Sequence, residues 1–261
     1  MKKVIVSVTN DLTTDQRVAK VCNSLIKHNY SVLLIGRKLK NSNPINRVYP
    51  IKRFKLIFNR GFLFYAEYNI RLFLFLLFSK KDILLSNDLD TLIPNFIISK
   101  LQGKKLVFDS HELFSEVPEL VNKPLRKKFW QQLENYFIPK VKNCYTVCES
   151  IAAYYNKNYN TFFKVVRNCP YDKPNIKSSL PINTHEKKII LYQGAINLGR
   201  GLELMIDTMN YLDDFIFIII GNGDILEQLQ QKVIKLKLND KVFFLGKYLL
   251  KNYTKSLLML I

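Results

Sequence analysis

The sequence is poor in cysteine, histidine and acidic residues. Its four cysteines form no C-x-x-C pair, because three residues separate Cys144 from Cys148, and no zinc-binding pattern accompanies them. Cysteines used in this way are typical of reduced thiols in a cytosolic protein. The 261 residues include 21 acidic and 40 basic residues, which gives a net charge of +19. That excess leaves three classes of partner open: nucleic acid, an anionic membrane surface and anionic small substrates.

Long uninterrupted apolar runs are also missing. The longest apolar stretch, residues 62–78, contains Glu67, Asn69 and Arg71, whereas a membrane-spanning helix needs about 20 nearly uninterrupted apolar residues. The apolar segment at the N-terminus, residues 4–8, is too short and too strand-like for a secretory signal. The sequence therefore predicts no transmembrane segment and a cytoplasmic location.

Positive charge is concentrated in one segment, residues 37–60, which contains eight basic residues and no acidic residue. The aromatic-rich stretch 62–78 follows it directly. A basic segment beside an apolar one is typical of peripheral attachment to anionic lipid, here at the inner face of the plasma membrane. The alternative is a solvated basic loop followed by an ordinary core helix, and the sequence leaves both open.

Predicted strands and helices alternate along the first part of the chain. Residues 4–8 predict a buried parallel strand, and an apolar stripe with helical spacing follows between residues 18 and 26. Thr13 and Gln16, just before it, have the spacing of a capping box. Further strands are predicted over residues 31–35, 82–86, 105–108, 145–147 and 164–166, with helices over 89–101, 125–137 and 150–155. This order is typical of a doubly wound parallel sheet.

The composition changes between residues 169 and 186, where three prolines lie among polar residues without periodicity, as in a linker. Beyond it, strands are predicted over residues 189–193, 215–220 and 242–245, with helices over 202–212 and 225–236. We therefore predict two Rossmann-like α/β domains, residues 1–170 and 187–261, joined by a linker over 171–186. Three strands are fewer than the roughly five or six of a complete doubly wound sheet, so the second domain is predicted to be incomplete.

Polar and ionisable residues follow three of the predicted strands in the first domain. Ligands of open parallel sheets bind beyond the carboxyl ends of the strands, so these loops predict one crevice. His111 is one of only three histidines and can act as a base or hydrogen-bond a hydroxyl or phosphate. A structural role for His111, and helix N-cap roles for the aspartates, are the alternatives. The crevice candidates are Asn10, Asp11, Arg17, Asn87, Asp88 and Asp90, and the catalytic candidates are Asp109, His111 and Glu112.

The second domain carries two glycine-bearing loops, each between a predicted strand and a helix. Backbone N–H groups at such a helix start, with an arginine beside them, form an anion site suited to a diphosphate. Neither loop is a G-x-G-x-x-G fingerprint or a Walker A loop. The candidate residues are Gly194, Asn197, Arg200, Gly201, Gly221 and Gly223.

Taken together, these motifs resemble the bacterial family 4 glycosyltransferases (glycosyl transferases group 1). In the first half the resemblance rests on residues 4–18, 86–90 and 108–112. In the second half it rests on residues 190–201 and 219–224. The similarity extends to about Lys247 and is more specific in aggregate than in any one motif. It implies a GT-B-like fold in which the first domain binds the acceptor and the second binds the nucleotide-sugar donor.

The resemblance also implies an activity. It implies a retaining hexosyltransferase that moves a sugar from a nucleotide sugar to a glycan or lipid-linked acceptor in surface polysaccharide assembly, with no cofactor and no metal. It implies that His111 lies beside the transferred sugar and that Arg200 helps to neutralise the leaving diphosphate. Without a divalent ion, charge on that leaving group must be met by basic side chains and helix N-termini.

The sequence departs from the family in two respects. Ala195 follows Gly194, where family members commonly carry a Gly-Arg pair, and the paired-glutamate motif of the family would lie beyond residue 261. These departures imply truncation in the second domain. The alternative function is then a catalytically inactive fragment that binds only acceptor or membrane. A nucleic-acid-binding protein is favoured by the net charge alone, since no helix-turn-helix, zinc-finger or RNA-binding signature appears, and no nucleic acid partner is expected.

Overall fold

The computed structural model describes residues 1–13, 15–170 and 187–246. The chain divides into two compact units, Met1–Cys169 and Pro170–Ile261. The predicted linker over residues 171–186, and the residues after 246, lie outside the described residues.

The first unit is built on a seven-stranded, all-parallel sheet. Its strands are β1 (Lys3–Ser7), β2 (Ser31–Lys38), β3 (Ile51–Lys55), β4 (Ile83–Asn87), β5 (Lys105–Ser110), β6 (Asn143–Thr146) and β7 (Phe163–Val165). Its α-helices are α1 (Gln16–Lys27), α2 (Gly61–Phe78), α3 (Leu92–Leu101), α4 (Pro124–Phe137) and α5 (Glu149–Tyr159). The strand order is β3-β2-β1-β4-β5-β6-β7, so the direction of winding reverses between β1 and β4. The predicted doubly wound sheet is confirmed.

Successive side chains of a strand point to opposite faces of a sheet. In this sheet both faces are buried, each under its own cluster of apolar side chains. In β1, Val4 and Val6 pack with Val18 and Cys22 of α1. Ile5 belongs to a larger cluster on the other face, which includes side chains from α2, α3, α4 and α5. A parallel sheet between two helical layers explains why the strands are nearly continuous apolar runs.

The basic segment contains a strand that the charge pattern does not predict. β3 pairs in parallel with β2, so a solvated loop over the whole segment is wrong. Phe54 is buried against α2, while Lys52 and Lys55 are exposed. Arg53 forms an ion pair with Asp11, with 3.2 Å between Nη1 and Oδ1. The charge pattern conceals this strand because Phe54 is its one buried side chain, while Lys52 and Lys55 point to solvent.

α2 corresponds to the predicted core helix. It buries Phe64, Tyr68, Leu72 and Leu76, which are spaced four residues apart along one face. Among the described helices, α2 is also the one whose length and composition would suit a membrane span. Tyr68 OH donates to the carbonyl oxygen of Val8 at 2.6 Å, which ties the helix to the loop after β1.

α1 begins differently from the capping-box prediction, which is wrong. Asp15 is the N-cap residue, and its Oδ1 accepts from Val18 N at 2.8 Å. Thr13 Oγ1 instead donates to Asp11 Oδ2 at 3.2 Å. Aspartate and threonine both serve well as N-caps, so the position of the loop decides which one is used.

The described part of the second unit holds a three-stranded parallel sheet in the order β10-β9-β8. Its elements are β8 (Lys188–Ala195), α6 (Leu202–Thr208), β9 (Phe215–Asn222), α7 (Leu226–Lys235) and β10 (Val242–Phe244). Ile206 of α6 and Leu229 of α7 pack on one face of this sheet. β8 and β9 each extend two residues beyond their predicted ends, so Gly194 and Gly221 lie in strands and not in loops.

Candidate functional site

The candidate site of the first unit lies at the carboxyl ends of β1, β4 and β5, next to the point where the winding reverses. In doubly wound sheets this edge is where ligands bind. Thr9, after β1, donates from Oγ1 to Asp90 Oδ2 at 2.5 Å. His111, after β5, lies 2.7 Å from Asp88 through Nδ1 and Oδ1. The three loops predicted to share a crevice are therefore in contact.

Asp88 and His111 form the central pair of the site. A carboxylate only accepts hydrogen bonds, so Nδ1 of His111 donates and Nε2 remains for another partner. Nε2 has no hydrogen bond to any other described residue, and 37% of the His111 side chain is exposed. Burial by itself would lower the pKa of His111, but the hydrogen bond and charge of Asp88 outweigh it and raise the pKa above its ordinary value. The imidazole is thus held in one orientation with its free nitrogen available to a ligand.

The backbone of Asp88 is strained in the position that makes this contact. Its φ of 58° and ψ of 170° lie in a region that is almost exclusive to glycine. The strain is held by the hydrogen bond from Asp88 N to the carbonyl oxygen of Asp109, at 2.8 Å. Residues in such conformations cluster at functional sites, where the fold fixes a side chain that local preference would release.

Arg17 and Asp109 form a buried ion pair beneath this central pair. Arg17 Nη1 lies 2.5 Å from Asp109 Oδ2, and its Nη2 lies 3.7 Å from Asp88 Oδ2. Burial would lower the pKa of Arg17, but the charges of Asp109 and Asp88 outweigh burial and raise it. Tyr145 OH donates to the same Asp109 oxygen at 2.8 Å. Asp109 is only 1% exposed, so its role is to hold Arg17 and Tyr145 in place. His111, whose side chain is 37% exposed, is more accessible to a ligand than Asp109.

Asp90 is the second unusual carboxyl group of the site. Burial, followed by the charge of Asp88, raises the pKa of Asp90 to about 7. Its Oδ2 accepts from Thr9, whereas its Oδ1 is buried and has no hydrogen-bond partner in the described part of the chain. An unpaired buried carboxyl oxygen is costly, and a carboxyl group with a perturbed pKa beside a cleft is a candidate functional residue.

The other crevice candidates make structural contacts. Asn10 Oδ1 accepts from Leu12 N at 2.9 Å, and its amide nitrogen contacts Asp15. Asp11 is engaged by Arg53 and by Ser42 Oγ, the latter at 2.6 Å. A helix N-cap role is the alternative for Asp11, Asp88 and Asp90. Asp88 occupies the N-cap position of the 3₁₀ turn Leu89–Thr91 but makes no capping hydrogen bond.

Asn87 and Glu112 complete the set. Asn87 is buried, and its amide nitrogen donates to the Ser7 carbonyl oxygen at 3.1 Å, which joins β4 to β1. Glu112 is half-buried beside His111, and its backbone carbonyl accepts from Ser110 Oγ at 2.9 Å. Its carboxylate adds negative charge near the imidazole of His111.

In the second unit, the glycine motifs meet at the carboxyl ends of β8 and β9. Gly194 pairs with Gly221 across the two strands. A Cβ at Gly221 would overlap the carbonyl oxygen of Gly194, and one at Gly223 would overlap that of Ile196. Glycine at positions 221 and 223 is therefore needed for these backbone segments to approach each other.

The remaining donor-side candidates surround this edge. Asn197 Oδ1 accepts from the backbone N of Asp224 at 3.3 Å, which links the two loops. Gly201 has a φ of 74° and precedes α6. Arg200 is exposed and makes no hydrogen bond or ion pair to another residue in the described ranges. Its guanidinium is free to meet an anion.

Residues 172–258 match the family model named glycosyl transferases group 1. The match covers about a third of the chain and includes residues 187–246 of the second unit. This part of the chain is therefore similar to the glycosyl transferases group 1 domain. No curated protein matches the sequence.

Solved structures extend the comparison to the whole chain. Sucrose-phosphate synthase from Thermosynechococcus elongatus is 12% identical with a TM-score of 0.77, over 98% of this chain and 74% of that one. The lipopolysaccharide outer core galactosyltransferase WaaB is 14% identical with a TM-score of 0.60, over 99% and 71%. HepE of Anabaena, in complex with UDP-glucose, is 14% identical with a TM-score of 0.64, over 94% and 69%. At these identities the likeness shows the fold, and the predicted GT-B-like fold is confirmed.

Sequence reasoning missed two members of the site, Thr9 and Tyr145. Tyr145 lies in β6, where its aromatic ring reads as one more apolar strand residue. Thr9 is a single hydroxyl between a strand and a polar loop. Neither carries a local signal, because their partners Asp109 and Asp90 are 36 and 81 residues distant in sequence.

Proposed function

We propose that this chain belongs to a retaining, family 4-type glycosyltransferase that moves a hexosyl group from a nucleotide sugar to a hydroxyl of a glycan or lipid-linked acceptor. One observation carries the proposal. The segment that matches glycosyl transferases group 1 is the unit in which Gly194, Gly221 and the exposed Arg200 lie at or beside one edge of a parallel sheet. That edge is suited to a diphosphate.

Donor binding falls to the second unit. HepE, which shares the fold, has been solved in complex with UDP-glucose, and this supports a nucleotide diphosphate sugar as the donor class. Arg200 would meet the diphosphate, with backbone N–H groups around Gly201 and Gly223 completing the anion site. We propose that these groups neutralise the leaving diphosphate without a metal ion.

His111 would act on the transferred sugar in the first unit. In the transfer, the bond between the anomeric carbon and the diphosphate oxygen breaks, and the acceptor hydroxyl oxygen forms the new bond on the same face. The proton of that hydroxyl leaves with the diphosphate. His111 Nε2 is the free ring nitrogen, so it can hydrogen-bond a sugar hydroxyl while Asp88 holds Nδ1. We place this activity in surface polysaccharide assembly in the cytoplasm.

The test separates donor binding from transfer. We expect the protein to bind a UDP-sugar in calorimetry and Arg200→Gln to weaken that binding by about tenfold or more, since one charge-assisted contact is lost. Lys235→Gln is the matched control, because Lys235 is exposed at the opposite end of α7 from the glycine edge. His111→Gln should keep donor affinity and lose transfer to acceptor.

Three results would contradict the proposal. One is a failure to bind any nucleotide sugar, and another is an equal loss of affinity in Arg200→Gln and Lys235→Gln. The third is donor binding with no transfer to any glycan or lipid-linked acceptor, which would support the alternative of an inactive acceptor-binding fragment.

A further inference from the structure

A cavity of about 610 Å³ lies between α2 and α4 in the first unit, and His111 is not among the residues that line it. This volume is within the range of small-molecule sites, roughly 300–1,000 Å³. Its walls are mainly apolar and aromatic and include Tyr65, Leu125, Phe129, Trp130 and Leu133. Leu125 is 84% exposed, so the cavity opens to the surface along α4.

The aromatic walls have a defined geometry. Tyr65 and Trp130 meet edge-on with ring centroids 5.1 Å apart, and Phe129 meets Trp130 in the same way at 5.4 Å. Phe62 of α2 contacts Phe129 of α4 at 6.1 Å, which joins the two helices at the cavity. Edge-to-face packing fixes the rings, so the space between them has a set shape.

Asp90 lines the inner wall of this cavity. The side chain is 8% exposed, and its Oδ1 has no hydrogen-bond partner among the residues described. Asn69 lines the same wall and also has an unpartnered, buried Oδ1. Asp90 simultaneously accepts from Thr9 at the candidate site, so the cavity and the site share this residue. A ligand hydroxyl would satisfy the carboxyl oxygen that the protein leaves unpaired.

Two cationic side chains, Lys123 and Arg126, also line the cavity, and both are exposed. Neither forms an ion pair within the described ranges, whereas the adjacent Lys127 is paired with Glu116 at 2.6 Å. Arg126 in particular offers a planar fork of donors that matches a phosphate. The cavity thus combines an apolar interior, a cationic rim and a buried polar end.

We infer that this cavity binds a lipid phosphate, with its apolar chain against the aromatic walls, its phosphate beside Arg126 and Lys123, and a hydroxyl of its headgroup at Asp90. The apolar walls exclude a purely polar sugar as sole occupant, and the unpaired cations favour an anionic lipid over a neutral one. The inference rests on the proposed function only in making this lipid the acceptor. Binding itself can be tested without transfer.

Trp130 provides the measurement, because it is the only tryptophan in the chain and lines the cavity. We expect 11-bromoundecyl phosphate, below its micelle concentration, to quench Trp130 emission saturably, with dodecyl phosphate competing. Dodecyl maltoside should compete about tenfold more weakly, since it lacks the charge. Inorganic phosphate should not compete. Linear quenching without saturation, or equal competition by the maltoside, would overturn the inference.

Matched variants locate the binding. Ala66→Phe fills the cavity and should abolish saturable quenching, whereas Ala153→Phe, an exposed alanine on α5, should not. Arg126→Gln should weaken dodecyl phosphate binding about tenfold and leave the maltoside unchanged, while Lys128→Gln on the same helix has no effect. Leu125→Glu is a second variant that should prevent lipid phosphate binding, because it places a negative charge at the cavity opening. Leu125 is exposed, so this substitution should not disturb folding. Quenching that survives both Ala66→Phe and Leu125→Glu would reject this cavity as the binding site.

The two proposals fail separately. Saturable lipid phosphate binding without nucleotide-sugar binding would keep this cavity as a lipid site and contradict the glycosyltransferase. Nucleotide-sugar binding and transfer to a soluble glycan, without quenching by the bromolipid, would contradict only the lipid cavity.

Discussion

Individual carboxyl groups in the first unit are held by the fold in states that they would not adopt in water. Asp109 is ion-paired with Arg17, and both Asp109 and Asp90 are buried with one carboxyl oxygen that lacks a hydrogen-bond partner among the described residues. The two residues lie near each other, but only Asp109 has a cation in contact. Burial without a cation in contact disfavours the charged form of a carboxyl group. The environment therefore assigns different chemistry to similar side chains.

The raised pKa of Asp90 makes a prediction about stability. A group whose pKa is about 7 when folded, raised mainly by burial, and near 3.8 when unfolded binds its proton more tightly in the native state. Its contribution to the free energy of unfolding is full below pH 4 and is lost as pH rises through 7. Asparagine at position 90 cannot titrate. The difference in free energy of unfolding between Asp90→Asn and the native protein should therefore shift in favour of the variant by roughly 2–3 kcal/mol as the pH rises from 5 to 8.

Urea unfolding followed by Trp130 fluorescence at several pH values measures this difference, since Trp130 reports on the first unit. Asp224→Asn serves as control, because Asp224 is exposed in the other unit and its substitution should leave the pH dependence unchanged. Parallel curves for the native protein and Asp90→Asn would show that Asp90 is not the titrating group.

At the scale of secondary-structure elements, α2 illustrates how a uniformly apolar helix acquires a direction. Its sequence is apolar on nearly all sides, so periodicity predicts the helix but not the face that it buries. Packing selects Phe64, Tyr68, Leu72 and Leu76 for the sheet and leaves Leu74 half exposed. The remaining face borders the cavity shared with α4.

Leucines two residues apart in α2 should therefore differ sharply in their effect on stability. Leu72 is 0% exposed and Leu74 is 50% exposed. Leu72→Ala should lower the free energy of unfolding by about 2–5 kcal/mol, because it leaves a cavity in the core. Leu74→Ala should cost less than about 1 kcal/mol. Urea titrations of the two variants, monitored at Trp130, provide the comparison, and equal losses would show that α2 packs through another face.

At the scale of the whole molecule, 40 basic side chains against 21 acidic ones leave a net charge of +19 that ion pairs within the chain cannot neutralise. In the basic segment, Arg53 is engaged by Asp11, whereas Lys52 and Lys55 of β3 project to solvent. Exposed cations on an edge strand suit peripheral attachment to an anionic membrane surface, which we retain as a proposal. Within the basic segment, Lys52 and Lys55 are the residues of β3 that could contact such a membrane surface.

We expect the protein to co-sediment with vesicles containing phosphatidylserine and to be released as salt is raised, because exposed charges are screened. The double variant Lys52→Gln/Lys55→Gln should weaken binding by roughly tenfold or more, at about 1 kcal/mol for each lysine. Lys2→Gln/Lys105→Gln removes the same charge before the first strand and at the start of β5, so it is the matched control. Equal weakening by both pairs would indicate attraction by net charge alone.

Local periodicity was sufficient to predict the order of most strands and helices, the doubly wound sheet and the edge at which its polar loops meet. It did not predict β3, where charged side chains conceal a strand with one buried aromatic residue. It also assigned the cap of α1 to Thr13 because Thr13 and Asp15 both suit that position. These errors occur where neighbouring residues allow two local structures and a distant contact selects one.

The sequence by itself determined the two α/β halves, because apolar spacing is a property of consecutive residues. Only the tertiary structure decided which charges meet. Arg17 contacts Asp109, which is 92 residues distant in sequence. Asp90 is shielded from solvent where it contacts Thr9 and Asn69 of α2, and no local sequence pattern predicts these contacts. The cavity between α2 and α4 likewise exists only once both helices pack on one sheet face. Burial and charge act through space, so they appear only when the chain is folded.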